Sequence, residues 1–308
     1  MEVLLSSSME LRQLETLIAV AAEGSFTGAA IELSTAQSNV SDQIKQLESE
    51  LGVQLFTRGR RGAQTTEFGE VVLDRARRIG REIESMRSDI SARLGLEVGE
   101  ATFGIVGTAS RWVIPRLVAE LRERSSGIEL MVREAASERL IVDVASGVLA
   151  QAIVTEPVND PRVQGETLME ENLVAVLPKS VSLPDKPIAL AKVLELGLVL
   201  PPRENPLRRE VESAALEKSL EVRVTVEVEG IRLIADLVAS GAGASIMPET
   251  ALPSDLPDVK TRAIIGMPPR RLALISGRET SLSSADTAVR AAVLDLVLER
   301  KGRPRKRP

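Results

Sequence analysis

Apolar residues recur every three or four positions through the N-terminal third of the chain. In residues 11–23, LRQLETLIAVAAE, the residues Leu14, Leu17, Ile18 and Ala21 fall on one stripe, which predicts an amphipathic helix ended by Gly24. Ser25 is placed to cap a short second helix over 27–33, where Ala29 and Ala30 are small enough to admit a neighbouring helix closely. Ser34 then offers a cap for a third helix, and Gln37 three residues on completes a capping-box pattern. In STAQSNVSDQIKQLE, residues 34–48, the residues Val40, Ile44, Leu47 and then Leu51 face inward by their spacing, and Gly52 stops the helix.

That spacing turns Gln37, Ser38, Asn39, Ser41, Asp42 and Lys45 outward. Two short helices joined by a tight turn, the second with an uncharged polar N-terminal half, have the geometry of a helix-turn-helix entering a major groove. Gln can form a bidentate pair with adenine, and Ser bonds to several bases. Phosphate affinity must then come from elsewhere. Arg58, Arg60 and Arg61 in TRGRRGAQTT supply it, in a Gly-flanked turn between Leu55-Phe56 and Thr65-Thr66 that predicts a β-wing. An ordinary three-helix bundle with a solvated polar face fits the same periodicity.

From residue 67 the spacing becomes that of one long helix. Val72, Ala76, Ile79, Ile83, Met86 and Ile90 form a heptad seam flanked by charges of both signs. Such a helix, about 40 Å long, exceeds what a small domain covers and calls for a second chain. Its alternative is packing along its own C-terminal domain. LGLEVGE, residues 94–100, marks a hinge by its glycines. Beyond it, strand-like runs (ATFGIV, IELMVR, AQAIVT, LVAVLP, GLVLP, VRVTVEV, ASIMP, RRLALIS) alternate with helical ones at 113–124, 138–145, 206–219, 231–239 and 284–300. The alternation predicts parallel βαβ units in two α/β lobes, with a ligand cleft between them at the C-terminal ends of strands.

The run MELRQLETLIAVAAEGSFTGAAIELSTAQSNVSDQIKQLESELGVQLFTRGRRGAQTTEFGE resembles, over residues 9–70 and without a gap, the winged helix-turn-helix domain of LysR-type transcriptional regulators. The elements EGSFTxAA, QxxxSxQIxxLExELGxxLFxR and TxxG carry the likeness. Gly28, Ser38 and Asp42 stand where the family often has a basic residue, Pro, and Arg or Lys. GEATFGIVGTASRWVIPRLVAELRERSSGIELMV and LVASGAGASIMPE are similar to the effector domain of the same family, itself similar to periplasmic substrate-binding proteins. The resemblance implies a winged helix-turn-helix over 9–66, a dimerising linker helix and hinge over 67–96, and a two-lobed effector domain over 97–300 whose C-terminal segment returns to the first lobe; KGRPRKRP, residues 301–308, reads by its own composition as a basic disordered tail. The resemblance also implies double-stranded DNA, a small-molecule effector and a homodimer or homotetramer as partners, with RNA polymerase as a further one.

Composition narrows the remaining classes. The chain has no Cys and no His, which removes disulfides, thiolate metal sites and the commonest general base; no metal or other cofactor is expected. A net charge of −5 confines any nucleic-acid contact to a local patch. No apolar run reaches the roughly 20 residues of a membrane span, and the N-terminus lacks a signal-peptide pattern, so a soluble cytoplasmic protein is expected.

Candidate effector residues follow the strand ends. Thr108 and Ser110 open a helix after the first strand, where backbone N–H groups favour an anion, and PPRENPLRRE places Pro202, Arg203, Asn205 and Arg208 across the cleft, with Asn205 as a cap and Pro206 in the first helical turn. Ser137 opens another helix and Thr155 ends another strand. For each hydroxyl, plain capping is the alternative. GAG at 241–243 follows a helix and lacks the strand-to-helix context of a nucleotide loop, which predicts a tight turn. Two other classes fit the sequence less well. A solute-binding protein lacks a use for the wing arginines, and an enzyme would need Glu134, Glu156 or Lys179, which no spacing singles out. The expectation is a non-enzymatic DNA-binding regulator whose effector is a small organic anion.

Overall fold

The computed structural model describes residues 9–59, 62–94, 98–252 and 258–302. The chain divides into two compact units, one comprising residues up to Arg87 with Ser146–Val148, the other the rest from Ser88 onward.

In the first unit, α1 (Leu11–Glu23) starts where Gln13 Oε1 accepts the Glu10 N–H at 2.9 Å and stops where Gly24 turns left-handed at φ 60°. α2 (Phe26–Glu32) is capped by Ser25, whose Oγ accepts the Gly28 N–H at 2.9 Å. α3 (Gln37–Leu51) lays Val40, Ile44 and Leu47 against Leu14, Leu17 and Ala29. β1 (Phe56–Gly59) and β2 (Gly62–Thr65) pair antiparallel as the expected wing. Thr66 starts α4 (Glu67–Arg93): its hydroxyl accepts the Gly69 N–H at 3.0 Å and donates to the Gln54 carbonyl at 2.7 Å.

The seam of α4 differs from the heptad reading at its start. Ala76 is 1% exposed and Val72 packs beside it, both within the core of the first unit. Ile79, Met86 and Ile90 are instead 41%, 56% and 55% exposed. The first turns of the helix thus lie within the core of the first unit, while the later seam residues are left exposed.

In the second unit, β3 (Val98–Ile105), α5 (Gly107–Arg124), β4 (Gly127–Glu134), α6 (Ser137–Ala145) and β5 (Gln151–Thr155) form a βαβαβ run. β6 (Val163–Glu171) leads to β7 (Leu173–Pro178), β8 (Ile188–Ala189), α7 (Leu190–Leu194), β9 (Leu198–Leu200), α8 (Pro206–Leu216), β10 (Val224–Glu227), α9 (Ile231–Ala239) and β11 (Ser245–Pro248). A 3-10 turn, η1 (Glu249–Ala251), precedes β12 (Val259–Ile265), β13 (Arg270–Gly277) and α10 (Ser284–Gly302). One lobe holds the sheet β4-β3-β5-β13-β6, the other β11-β7-β12-β8 with the β9–β10 pair beside it.

The expected parallel units are realised only in part. β3 runs parallel to β4 and β5, and β9 to β10, but β13 is antiparallel to β5 and β6, and β7 is antiparallel to β11 and β12. Three strands escaped the sequence reading, β6, β8 and β12. β8 is only two residues long, and β6 and β12 are rich in charged and polar residues, with no apolar run of more than three. The chain crosses between the lobes twice, at β6 to β7 and at β12 to β13. β13 and α10 therefore return to the first lobe, where Val289 and Val293 pack with Phe103 and Leu274. The second lobe has its own core around Leu177, Leu190, Val211 and Ile246. Gly241 and Gly243, at φ 88° and 154°, make the tight turn between α9 and β11. Among the described residues, no single helix is long and apolar enough to cross a membrane.

Candidate nucleic-acid interface and ligand cavity

α3 presents Gln37, Ser38, Asn39, Asp42 and Lys45 as exposed residues on its first half. Ser41 departs from the outward reading. It is buried, and its hydroxyl accepts the Gln37 side-chain amide at 2.9 Å. A serine one turn below thus orients the amide above it. Asn39 Nδ2 donates to Thr35 Oγ1 at 3.1 Å. The start of α3 also differs from the capping-box reading: Ser34 is left-handed at φ 49°, and the helix begins after Ala36 with no side-chain cap. Residues 34–36 are consumed by the turn, in which Thr35 N–H donates to Ala30 O at 2.9 Å. Leu51, expected inward, is 36% exposed in the last turn, before Gly52 at φ 71°.

Glu48 ties the wing to this helix. Its Oε1 accepts the backbone N–H groups of Leu55 at 2.7 Å and Phe56 at 3.3 Å, so the chain enters β1 at a set angle. On the other strand, Ala63 N–H donates to Gly24 O at 2.7 Å, and a Cβ on Gly62, at φ 93°, would stand 2.3 Å from that oxygen. Only glycine lets the wing lie so close to the end of α1. Arg58 lies on β1; Arg60 and Arg61 fall outside the described residues.

Between the lobes of the second unit lies a cavity of about 460 Å³. Its walls come from the C-terminal ends of β3, β4, β5 and β9, through Val106, Glu134, Thr155 and Pro201. The first residues of α5, α6, α8 and α9 also line it. Four helix N-termini on one cavity present unsatisfied N–H groups and positive dipole ends, which favour an anion.

Of the expected effector residues, Thr108, Ser137, Thr155 and Asn205 line this cavity together. Ser137 Oγ accepts the Thr155 N–H at 3.0 Å. Asn205 caps α8 by accepting the Leu207 N–H at 3.0 Å, with Pro206 in the first turn. Ser110, Pro202 and Arg203 are not among the lining residues. Ser110 donates to Gly107 O at 3.0 Å, and Arg203 is 78% exposed with Glu212 3.9 Å away.

The cation at the cavity is Arg270, which the sequence did not single out. It is 7% exposed and opens β13 directly opposite Glu171, the last residue of β6. Its Nε and Nη2 donate to Glu171 Oε1 at 2.6 and 2.5 Å, and Nη2 donates to Thr108 Oγ1 at 2.6 Å. Thr250, just after β11, donates to the other Glu171 oxygen. The two strands that join the lobes are thus clamped by one buried ion pair holding a threonine from each lobe. Burial pushes the Glu210 carboxyl above the usual glutamate range; Arg270 counters this and Glu171 adds to it.

Glu134 lines the cavity beside Gly107, where its Oε1 would be 2.9 Å from a Cβ. Glu156 is held by Arg271 at 3.0 Å and Lys179 by Asp258 at 2.5 Å. Among the described residues, no three His, Asp or Glu side chains group where they could hold a metal ion.

Comparison with known proteins gives this arrangement its context. Residues 11–70 match the model of the bacterial regulatory helix-turn-helix protein, lysR family, and residues 95–297 match that of the LysR substrate binding domain. The chain is 29% identical to the RuBisCO operon transcriptional regulator of Allochromatium vinosum over 93% of its own length and 96% of that protein's. It is 30% identical to the HTH-type transcriptional regulator TfdS of Cupriavidus pinatubonensis, over 96% and 99%. Full-length CbnR in complex with its target DNA shares the fold at a TM-score of 0.65 and 23% identity, over 94% of this chain and 99% of that one. A full-length OxyR variant from Pseudomonas aeruginosa does so at 0.76 and 22%, over 98% and 100%. The chain belongs to the LysR family, as a DNA-binding transcriptional regulator with an effector-responsive C-terminal domain.

Proposed function

We propose that α3 reads base edges with Gln37, Ser38, Asn39 and Asp42, while Lys45 and the wing arginines Arg58, Arg60 and Arg61 hold phosphates. Ser41 fixes the Gln37 amide rather than touching DNA. Asp42 selects for a donor, as cytosine N4 is, since a carboxylate at this place repels phosphate. Two copies associate through the exposed Ile79, Met86 and Ile90 face of α4, placing two α3 helices on a pseudo-palindromic site in the cytoplasm.

The effector is a small organic anion in the cavity between the lobes. The observation that carries this is the convergence of four helix N-termini with the buried Arg270 on a single space of about 460 Å³. A carboxylate there satisfies N–H groups of both lobes and favours their approach; a neutral apolar ligand leaves each buried donor unpaired, at about 1–3 kcal/mol apiece. Thr108, Ser137 and Thr155 orient it, and Arg203 takes no part.

The test is thermal shift of the full chain against a panel of small mono- and dicarboxylates and their amides. A carboxylate at 100 times its dissociation constant adds about 2.7 kcal/mol, and its amide does not. A neutral compound that stabilises Thr108→Val as strongly as the unsubstituted chain overturns the anion reading.

A further inference from the structure

One partly buried acid, Glu210, has no role in the proposed function. Glu210 lies on α8 in the second lobe, and its Oε2 is buried without a hydrogen-bond partner. The nearest cation is Arg270, whose Nη1 stands 4.0 Å away. Arg270 spends Nε and Nη2 on Glu171 and Thr108, both reached from the first lobe's strands and helix, and directs Nη1 toward the second lobe. The separation exceeds a charge-assisted hydrogen bond by about 1 Å.

We propose that Glu210 is a proton-controlled latch between the lobes: as an anion it joins Arg270 when the cleft closes, and when protonated it leaves the cleft open. The charged groups around it are Arg270 on β13, Glu171 on β6, Glu138 on α6, Glu156 after β5, and Arg209 and Glu217 at α8, and Arg209 is itself engaged by Glu138 of the first lobe. Burial, against the pull of Arg270 and aided by repulsion from Glu171, keeps Glu210 neutral to a higher pH than an ordinary glutamate while the cleft is open. Closure gives the ionised form a direct bond in a buried setting, where the attraction is much stronger than in water. Closing therefore releases a proton, and rising pH favours the closed form. The wall carrying Arg270 also borders a second cavity of about 360 Å³ lined by Glu210, through which the proton reaches solvent. The latch stands whatever ligand the first cavity takes.

The absence of cysteine in the chain makes the test direct. Asn159→Cys in the first lobe and Lys218→Cys in the second, both at exposed positions, accept spin labels on the full chain, diluted into unlabelled chain. Between about pH 4 and pH 8 the closed-to-open ratio should rise, about tenfold for each unit by which Glu210's pKa falls on closing. With Glu210→Gln added, the distance should not depend on pH. Equal pH dependence with and without Glu210→Gln, or none in the unsubstituted background, overturns the latch. If Glu210→Gln fails to fold, carboxyl-carbon NMR of the unsubstituted chain decides. Glu210 must titrate over the interval in which the distance changes, and titration elsewhere overturns the proposal.

Discussion

The Ser137 hydroxyl accepts the backbone N–H of Thr155 at 3.0 Å, tying the start of α6 to the end of β5 at the edge of the cavity. Both residues are buried. Ser137→Ala leaves that N–H without its partner, and urea denaturation should show a loss of about 1–3 kcal/mol. No loss would mean that water replaces the hydroxyl and that the site is wetter than its burial indicates.

Gln37→Ala should cost about 1–3 kcal/mol on the preferred operator and little on random DNA, as expected for a base-reading amide. Ser41→Ala should reproduce part of that loss, because the amide then loses its 2.9 Å anchor. Binding curves on both duplexes separate the two roles. Equal losses on both would remove Gln37 from base reading.

Arg61→Ala, by contrast, should weaken both duplexes and reduce the salt slope by about one, the signature of a lost phosphate contact. Titrations at several salt concentrations measure it. An unchanged slope would place Arg61 away from the backbone.

Ile79→Asp should leave the chain folded, since the side chain is 41% exposed, and shift sedimentation toward a monomer. Ala76→Asp should instead unfold the N-terminal unit, because that position is 1% exposed within its core. If both substitutions only dissociated the assembly, the division of α4 into an inner and an outer stretch would be wrong.

Gly69→Ala places a Cβ 2.1 Å from Leu55 O. The backbone must move, and a loss of about 1–3 kcal/mol or more is expected in thermal unfolding of the full chain. DNA affinity should fall as well, because the same contact sets where β1 leaves the core.

Local chemistry made much of this legible. The bounds of α9, residues 231–239, are legible because its apolar residues share one stripe and a glycine precedes them. Thr108, Ser137, Thr155 and Asn205 were reachable because each sits at a strand end or helix start, and such positions converge in an open α/β layer. Ser34 misled because its sequence suits a capping box while the turn needs it left-handed.

The stripes, the glycine stops, the wing and the order of elements rest on neighbours within a few positions, and so can be read along the chain. Arg270 lay beyond that reach. Alternation alone separates it from Arg271 by face, and says nothing of which face is buried. Only the pairing of β13 with β6 brings Arg270 to Glu171, 99 positions away, and the packing of α5 brings it to Thr108, 162 positions away. The same holds for α4, whose seam has one period throughout. Tertiary structure decided that Ala76 is covered within its own chain and that Ile79 is not, because a repeat specifies which face is apolar and never what covers it.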